Sequence, residues 1–230
     1  MRLHRFFVGT ELELKHDFWL HDQRIVYQWR KVLRYQAGQQ VVMFDGVTHD
    51  RLYRIEELKD NEAHLVHVTD MSRNVPKKNV YLLWSMLKKD KNDWVLQKCT
   101  ELGVSHFVPL LAERSEKTGF DVERAQKIVI EASEQCGRSD IPNVREPLFV
   151  ETALNELSNK MQLFICEQGS ETPDRVELDE LGVLIGPEGG WSDKEMALFK
   201  EKDLLHIPLG DFTLRAETAA VTAAHKLLDS

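Results

Sequence analysis

Leu184-Ile185-Gly186-Pro187-Glu188-Gly189-Gly190-Trp191-Ser192-Asp193-Lys194-Glu195 decides how the rest of the chain folds. An apolar run enters a turn of three glycines and a proline, and a helix begins directly behind it. Ser192 and Glu195 have the S-x-x-E spacing of a capping box, which closes backbone N–H groups left open at a helix start. A strand running through a tight turn into a helix is the building unit of an α/β fold. In such folds ligands bind at the carboxyl ends of the strands. Gly186, Gly189 and Gly190 let a flat ligand approach the backbone, and Pro187 stiffens the turn. A bare strand-to-helix connection would need fewer of these features.

The chain on either side keeps the same rhythm. Residues 80–87 form an apolar run of strand length, and 93–102 carry Val95, Cys99 and Leu102 on one helical face. Gly103 stands where a helix-ending glycine belongs. Residues 106–111 read as a strand. Residues 121–136 read as a helix, with Val122, Ala125, Val129, Ala132 and Cys136 in one stripe and Gly137 as its stop. Further strands are expected at 162–166, 182–185 and 204–208, and helices at 193–200 and 218–228. Strands alternating with helices imply a largely parallel sheet.

Residues 1–72 differ. Short runs at 40–44, 51–55 and 63–68 are bounded by Asp45-Gly46 and Asp60-Asn61, a pattern of strands and turns that suggests a small barrel or sandwich. One segment, 23–35, places Val26, Trp29 and Leu33 on one helical face. Ser72-Arg73-Asn74-Val75-Pro76-Lys77-Lys78 reads as a linker.

The glycine loop is neither common phosphate loop, lacking both G-x-x-x-x-G-K-[ST] and G-x-G-x-x-G. Glu188 at its centre would repel phosphate and suit a cation such as a sulfonium or an amino group. A second chemical stretch is Leu209-Gly210-Asp211-Phe212-Thr213-Leu214-Arg215-Ala216-Glu217-Thr218-Ala219-Ala220, between a strand and an alanine-rich helix. An arginine there can stabilise a developing anion, and Glu217 suits the helix dipole. A third, Glu134-Gln135-Cys136-Gly137-Arg138, ends a helix and is expected to leave Arg138 exposed.

Net charge is −8, which speaks against nucleic acid as partner. Its distribution speaks otherwise. Residues 151–205 hold 13 acidic and five basic residues, so that window alone accounts for −8. Lys77, Lys78, Lys88, Lys89 and Lys91 face only Asp90 within 77–91, and Arg24, Arg30, Lys31 and Arg34 face only Asp22 within 21–35. A basic face on the N-terminal half is compatible with this pattern; a solvated surface is the alternative. Cys99, Cys136 and Cys166 are scattered without a CxxC pair, which argues against a disulfide framework and a structural zinc site. His64 and His67 do not make a metal pair, because i and i+3 on a strand face opposite ways. There is no G-x-S-x-G and no serine triad. No apolar run spans a bilayer and no secretory signal is visible, so the cytosol is the expected compartment.

Taken together, His4-Arg5-Phe6-Phe7, Trp94–Val104 (WVLQKCTELGV), Glu134–Arg138, Gly186–Ser192 (GPEGGWS) and Leu214–Ala219 (LRAETA) resemble the RsmE-type 16S rRNA (uracil-N3)-methyltransferases over nearly the whole chain. GPEGG followed by LR-x-ETA is specific in this order. Trp191, Cys136 and the run Asp211-Phe212-Thr213 depart from the commoner residues. The resemblance implies a PUA-like β-barrel over 1–73 that helps hold RNA. It implies a SPOUT α/β domain over 74–230 with a C-terminal trefoil knot, a rarity among folds. It implies a homodimer, S-adenosylmethionine (SAM) as cofactor, no metal, and 16S rRNA or the small ribosomal subunit as partner. Carried onto this chain, SAM would be held by Glu167, by Gly186, Pro187, Glu188, Gly189, Gly190 and Trp191, and by Leu209, Gly210, Leu214, Thr218 and Ala219. Arg215 would stabilise an ionised base, with Glu217 orienting it or accepting the proton. Arg5, Arg24, Arg34, Lys88, Arg114 and Arg138 are the RNA-contact candidates. A related enzyme acting on tRNA or another base position, and a non-catalytic assembly factor, are the competing readings.

Overall fold

A computed structural model describes residues 3–115, 119–166 and 179–229. The chain divides into two compact units, Met1–Val75 with Ser133–Ile141, and Pro76–Ala132 with Pro142–Ser230.

The first unit is built on β1 (Arg5–Phe7), β2 (Asp17–Leu20), β3 (Gln40–Phe44), β4 (Asp50–Leu58) and β5 (Ala63–Asp70), with α1 (Gln23–Tyr27) after β2. The sheet order is β1-β3-β4-β5-β2. Only the β1–β3 pair is parallel. The closure expected of a barrel, a β1–β2 pairing, is not among the described strand pairs. Asp22 caps α1 by accepting from Arg24 N and Ile25 N, at 2.9 and 3.1 Å. The helix expected over 23–35 changes character at Gln28–Val32, where it widens into a π turn. There the N–H of Leu33 donates five residues back to the Gln28 carbonyl, at 2.9 Å. Ile25, Val26 and Trp29 are fully buried against the sheet and join Phe6, Val41, Met43, Tyr53, Ile55 and Leu65 in one core.

The second unit contains β6 (Asn79–Ser85), α2 (Lys89–Leu102), β7 (His106–Leu111), most of α3 (Val122–Cys136), β8 (Asn143–Val144), β9 (Leu148–Phe149), α4 (Val150–Leu157), β10 (Gln162–Cys166), β11 (Glu180–Ile185), α5 (Asp193–Glu201), β12 (Leu205–Ile207) and α6 (Ala216–Asp229). The strand order is β12-β10-β11-β6-β7-β8, with β9 also on β7, and every described pair is parallel. Helices cover such a sheet on both faces, so its central strands are apolar throughout. Accordingly Leu181, Val183, Leu184 and Ile185 of β11 are all buried. Leu83, Val108, Leu110, Leu154, Leu163, Leu184 and Phe199 form a core on one face. Each such side chain stabilises the fold by roughly 1.5–3 kcal/mol through burial. Gly103 ends α2 with φ +116°, its N–H donating to the Cys99 carbonyl at 3.1 Å.

Several strand ends shift, β4 reaching Leu58 rather than 55 and β6 ending at Ser85 rather than 87, and two helices start earlier than expected. Helix α6 starts at Ala216 rather than 218, so Glu217 lies in its first turn rather than in the connection. Helix α2 starts at Lys89 rather than 93.

Candidate active site

The carboxyl ends of β6, β10, β11 and β12 open onto one cavity of about 770 Å³. Lys88 and Lys91 line it from beyond β6, and Cys166 closes β10. The loop after β11 contributes Gly186, Pro187, Glu188, Gly190 and Trp191, and the stretch after β12 contributes Leu209, Gly210, Phe212, Thr213, Leu214, Arg215 and Ala216. Ala219 of α6 completes the wall.

Each segment is fixed by its own local chemistry. Asn92 is buried just inside α2. Its Oδ1 accepts from Trp84 Nε1 and Leu87 N, and its Nδ2 donates to the Leu87 carbonyl, all at 3.0 Å. That clamp sets the turn from β6 into α2, and therefore the place of Lys88 and Lys91.

The glycine loop is turned by a bond from Gly190 N to the Pro187 carbonyl at 2.8 Å. The capping box forms as its spacing implies. Ser192 N donates to Glu195 at 2.8 Å, and Glu195 N donates to Ser192 Oγ at 3.2 Å. The second Glu195 oxygen accepts from Glu113 N at 3.0 Å, so this buried carboxylate is fully engaged. Trp191 packs edge-on against Phe199, with ring centres 4.9 Å apart. A Cβ on Gly186 would lie 3.0 Å from that indole. At Gly190 and Gly210 the backbone itself demands glycine, with φ +70° and +113° and open space around each.

The electrostatics centre on Lys91. Its Nζ lies 2.6 Å from Glu188 Oε1 and 3.4 Å from Glu217 Oε2. The hydrogen bond to Glu188 holds the Lys91 ammonium above its ordinary value, and the same bond holds Glu188 below the usual carboxylate range. Glu188, expected to await a cationic ligand, is thus already neutralised by a side chain of α2. Glu217 Oε2 is buried and close to Lys91, yet accepts no hydrogen bond among the described residues. Burial pushes the Cys166 thiol up to about 12, so it lines the cavity as a neutral group.

The candidates named from sequence separate as follows. Gly186, Pro187, Glu188, Gly190, Trp191, Leu209, Gly210, Leu214, Ala219, Arg215 and Lys88 all line the cavity. Gly189 and Thr218 do not; Gly189 instead accepts a bond from Arg114 at 3.3 Å. Glu217 reaches the site through Lys91. Glu167 lies outside the described residues. Arg5, Arg24, Arg34 and Arg138 belong to the first unit. Arg138 corrects the expectation of an exposed side chain: it is 4% exposed and gripped by Asp140 through two bonds, at 2.9 and 2.7 Å. Arg5 is likewise held by Asp50, a fully buried carboxylate. Lys91 was missed, because in the sequence it looks like one more lysine in a basic surface run. Its position three residues after Lys88, in the first turn of a helix leaving a strand's carboxyl end, was the available signal.

Among the described residues no cluster of side chains could hold a metal, and no helix is long and apolar enough to cross a membrane.

A family model described as an RNA methyltransferase domain matches residues 74–228. A ribosomal RNA small subunit methyltransferase E from Helicobacter pylori is 34% identical over 217 residues, covering 82% of this chain and 94% of the relative. Two solved structures align over nearly the full length. One, from Legionella pneumophila, is described as a methyltransferase in complex with SAM; it is 28% identical, covers 100% of this chain and 98% of its own, and has a TM-score of 0.88. The other is a ribosomal RNA small subunit methyltransferase E from Neisseria gonorrhoeae bound to SAM, 26% identical over 99% and 98% of the two chains, with a TM-score of 0.89. A parallel sheet with its cavity at the strand ends, a full-length likeness and a domain match over two thirds of the sequence agree: this chain belongs to the ribosomal RNA small subunit methyltransferase E (RsmE) family of RNA methyltransferases.

Proposed function

We propose that this protein transfers a methyl group from SAM to N3 of a uridine in 16S, small-subunit, ribosomal RNA. The observation that carries the reading is the single cavity onto which both the glycine loop and Arg215 open. The wall suits SAM: backbone at Gly186, Gly190 and Gly210, small or apolar side chains at Pro187, Leu209, Ala216 and Ala219, and no phosphate loop. In this reading the related proteins' bound SAM and this cavity correspond, and Gly186–Trp191, Leu209–Leu214 and Ala219 are the residues that hold it.

Bound there, SAM supplies an electrophilic methyl group on a sulfonium. The residues of the chain do the rest. Uridine N3 is a poor nucleophile until its proton leaves, so the site must favour the ring anion and hold N3 in line. Arg215, exposed at the mouth of the cavity, stabilises negative charge on the base carbonyl oxygens. Glu217, whose Oε2 accepts no hydrogen bond among the described residues though Lys91 Nζ lies 3.4 Å away, is the proton acceptor or the group that orients Arg215. Lys91, 3.4 Å from Glu217 Oε2, holds Glu217 in place. The base must be reached outside a helical stack, since N3 is occupied in a pair.

In the same reading residues 1–73 act as a PUA-like RNA-holding domain and 74–230 as a SPOUT domain with a C-terminal knot, working as a cytoplasmic homodimer without a metal. Mass mapping of small-subunit RNA from cells with and without the protein tests the substrate. Loss of one 3-methyluridine on deletion is expected; an unchanged nucleoside map rejects the reading.

A further inference from the structure

Phe212 is 84% exposed, more than any other large apolar side chain among the described residues. Single exposed apolar side chains are ordinary on a protein surface. This one lines the cavity, in the same stretch as Arg215. The other aromatic ring of that wall, Trp191, is half-buried and packed against Phe199. Phe212 has no ring or cation–π partner among the described residues.

The backbone accounts for the placement. β12 ends at Ile207 and α6 starts at Ala216, so Phe212 sits in the connection between them. Gly210 turns that connection with φ +113°, in open space. Nothing in the local fold covers the ring, and a phenyl left on the rim of a ligand cavity is offered to whatever enters.

Two ligands meet in this cavity. SAM is small and is enclosed by backbone and small or apolar side chains, at Gly186, Pro187, Leu209 and Ala219. The uracil comes from solvent on a polymer, so it meets the exposed side chains first. Of the exposed side chains on the cavity, Phe212 alone is aromatic. A base drawn out of its stack loses the contacts on its two faces, and an aromatic side chain restores one of them. A phenyl has no donor or acceptor. It covers a ring face and leaves the uracil edge, with O2, N3 and O4, to Arg215 and the methyl group.

We propose that Phe212 stacks on the extruded target uracil and fixes the plane of its ring, so that N3 faces the methyl group. The identity of the base rests on the uridine reading above; the ring's availability for stacking rests on the cavity rim alone.

The test compares full-length wild type with Phe212→Ala, Phe212→Leu and Phe212→Tyr. Methyl transfer to isolated small ribosomal subunits is measured at saturating SAM over a range of subunit concentrations. Calorimetric SAM titration, sedimentation and thermal melts accompany it. The side chain is exposed, so Tm should not change. Phe212→Ala should lose about tenfold in kcat/KM for subunits, the worth of one aromatic–base stack, with SAM affinity within about twofold. Leucine should remain near alanine, and tyrosine should return most of the rate. An unchanged kcat/KM in Phe212→Ala overturns the stack, and so does full recovery with leucine, which would mean plain apolar contact. Weakened SAM binding would give the ring to the adenine of the cosubstrate, and an altered oligomeric mass would give it to a contact between copies; either result overturns the proposal while the uridine reading stands. If wild type binds SAM yet leaves the subunits unmethylated, the uridine reading falls, and the stack with it.

Discussion

Lys91 Nζ stands 2.6 Å from Glu188 Oε1, tying the first turn of α2 to the glycine loop that follows β11. The two segments are far apart in sequence, so this bond is part of what assembles the cavity. The pair also has a definite pH window. Glu188 is depressed from 4.5, so its contribution is complete above that value and is lost as pH falls through the lowered one. Lys91 is raised from 10.5, so its contribution is complete below that value and is lost as pH rises through the raised one. Lys91→Met should therefore lower Tm by a constant amount between about pH 6 and 9, and the gap to wild type should close as pH falls through the lowered Glu188 value. A thermal melt series over pH checks this; a gap that persists at acid pH would assign the effect to packing instead.

Arg215 lines the cavity yet is exposed, so removing it leaves the cavity walls in place. Arg215→Ala should lower kcat by about 100- to 1000-fold, the usual cost of a lost anion-stabilising donor. SAM affinity should stay within about twofold. Calorimetry and single-turnover kinetics separate the two. Normal turnover at saturating SAM with weakened SAM binding would make Arg215 a cofactor ligand.

Two glycines of the β11 region test shape in different ways. A Cβ on Gly186 would press the Trp191 indole at 3.0 Å, beside the cavity, whereas one on Gly182 would meet Leu163 at 2.6 Å within the sheet. Both alanine variants should lose roughly 1–3 kcal/mol of stability from overpacking. Only Gly186→Ala should also weaken SAM binding once folded. Denaturant melts paired with SAM titrations distinguish them, and equal SAM affinity in the two would free the indole of any part in the site.

Asn92→Ala strips the clamp between β6 and α2. The Trp84 indole N–H and the Leu87 N–H lose their acceptor in a buried setting. A loss of about 2–4 kcal/mol is expected from two orphaned donors. An effect under about 0.5 kcal/mol in a urea melt would mean that water replaces the amide.

Much of this was legible in the sequence. Regular packing explains why. The strand at Gln162–Cys166 followed from an unbroken apolar run, because consecutive Leu163, Phe164 and Ile165 are buried on both faces of the sheet, and the helix of α3 followed from plain periodicity. The capping box at Ser192 is purely local chemistry, and it formed. β1, β2, β8, β9 and α4 were missed. Four of these are strands of two to four residues, too short for a period to register. The π turn was invisible because one extra residue per turn leaves Val26 and Trp29 on the same buried face. Arg138 was misjudged for another reason. A helix-ending arginine usually reaches solvent, but Asp140 two residues on turns this one inward. Much of the site was legible in the two motif stretches, whose Gly186, Glu188, Gly190, Gly210 and Arg215 line the cavity; backbone conformation itself dictates the residue type at Gly190 and Gly210. Lys91, whose role depends on two carboxylates distant in sequence, was not legible.

The central claim is tested most directly by methyl transfer in vitro. Purified protein, SAM carrying a labelled methyl group and isolated small ribosomal subunits are combined, with tRNA as the parallel substrate. The label should appear in small-subunit RNA as 3-methyluridine and leave tRNA untouched. Label on tRNA, on another atom of the base, or on no RNA at all would contradict the account.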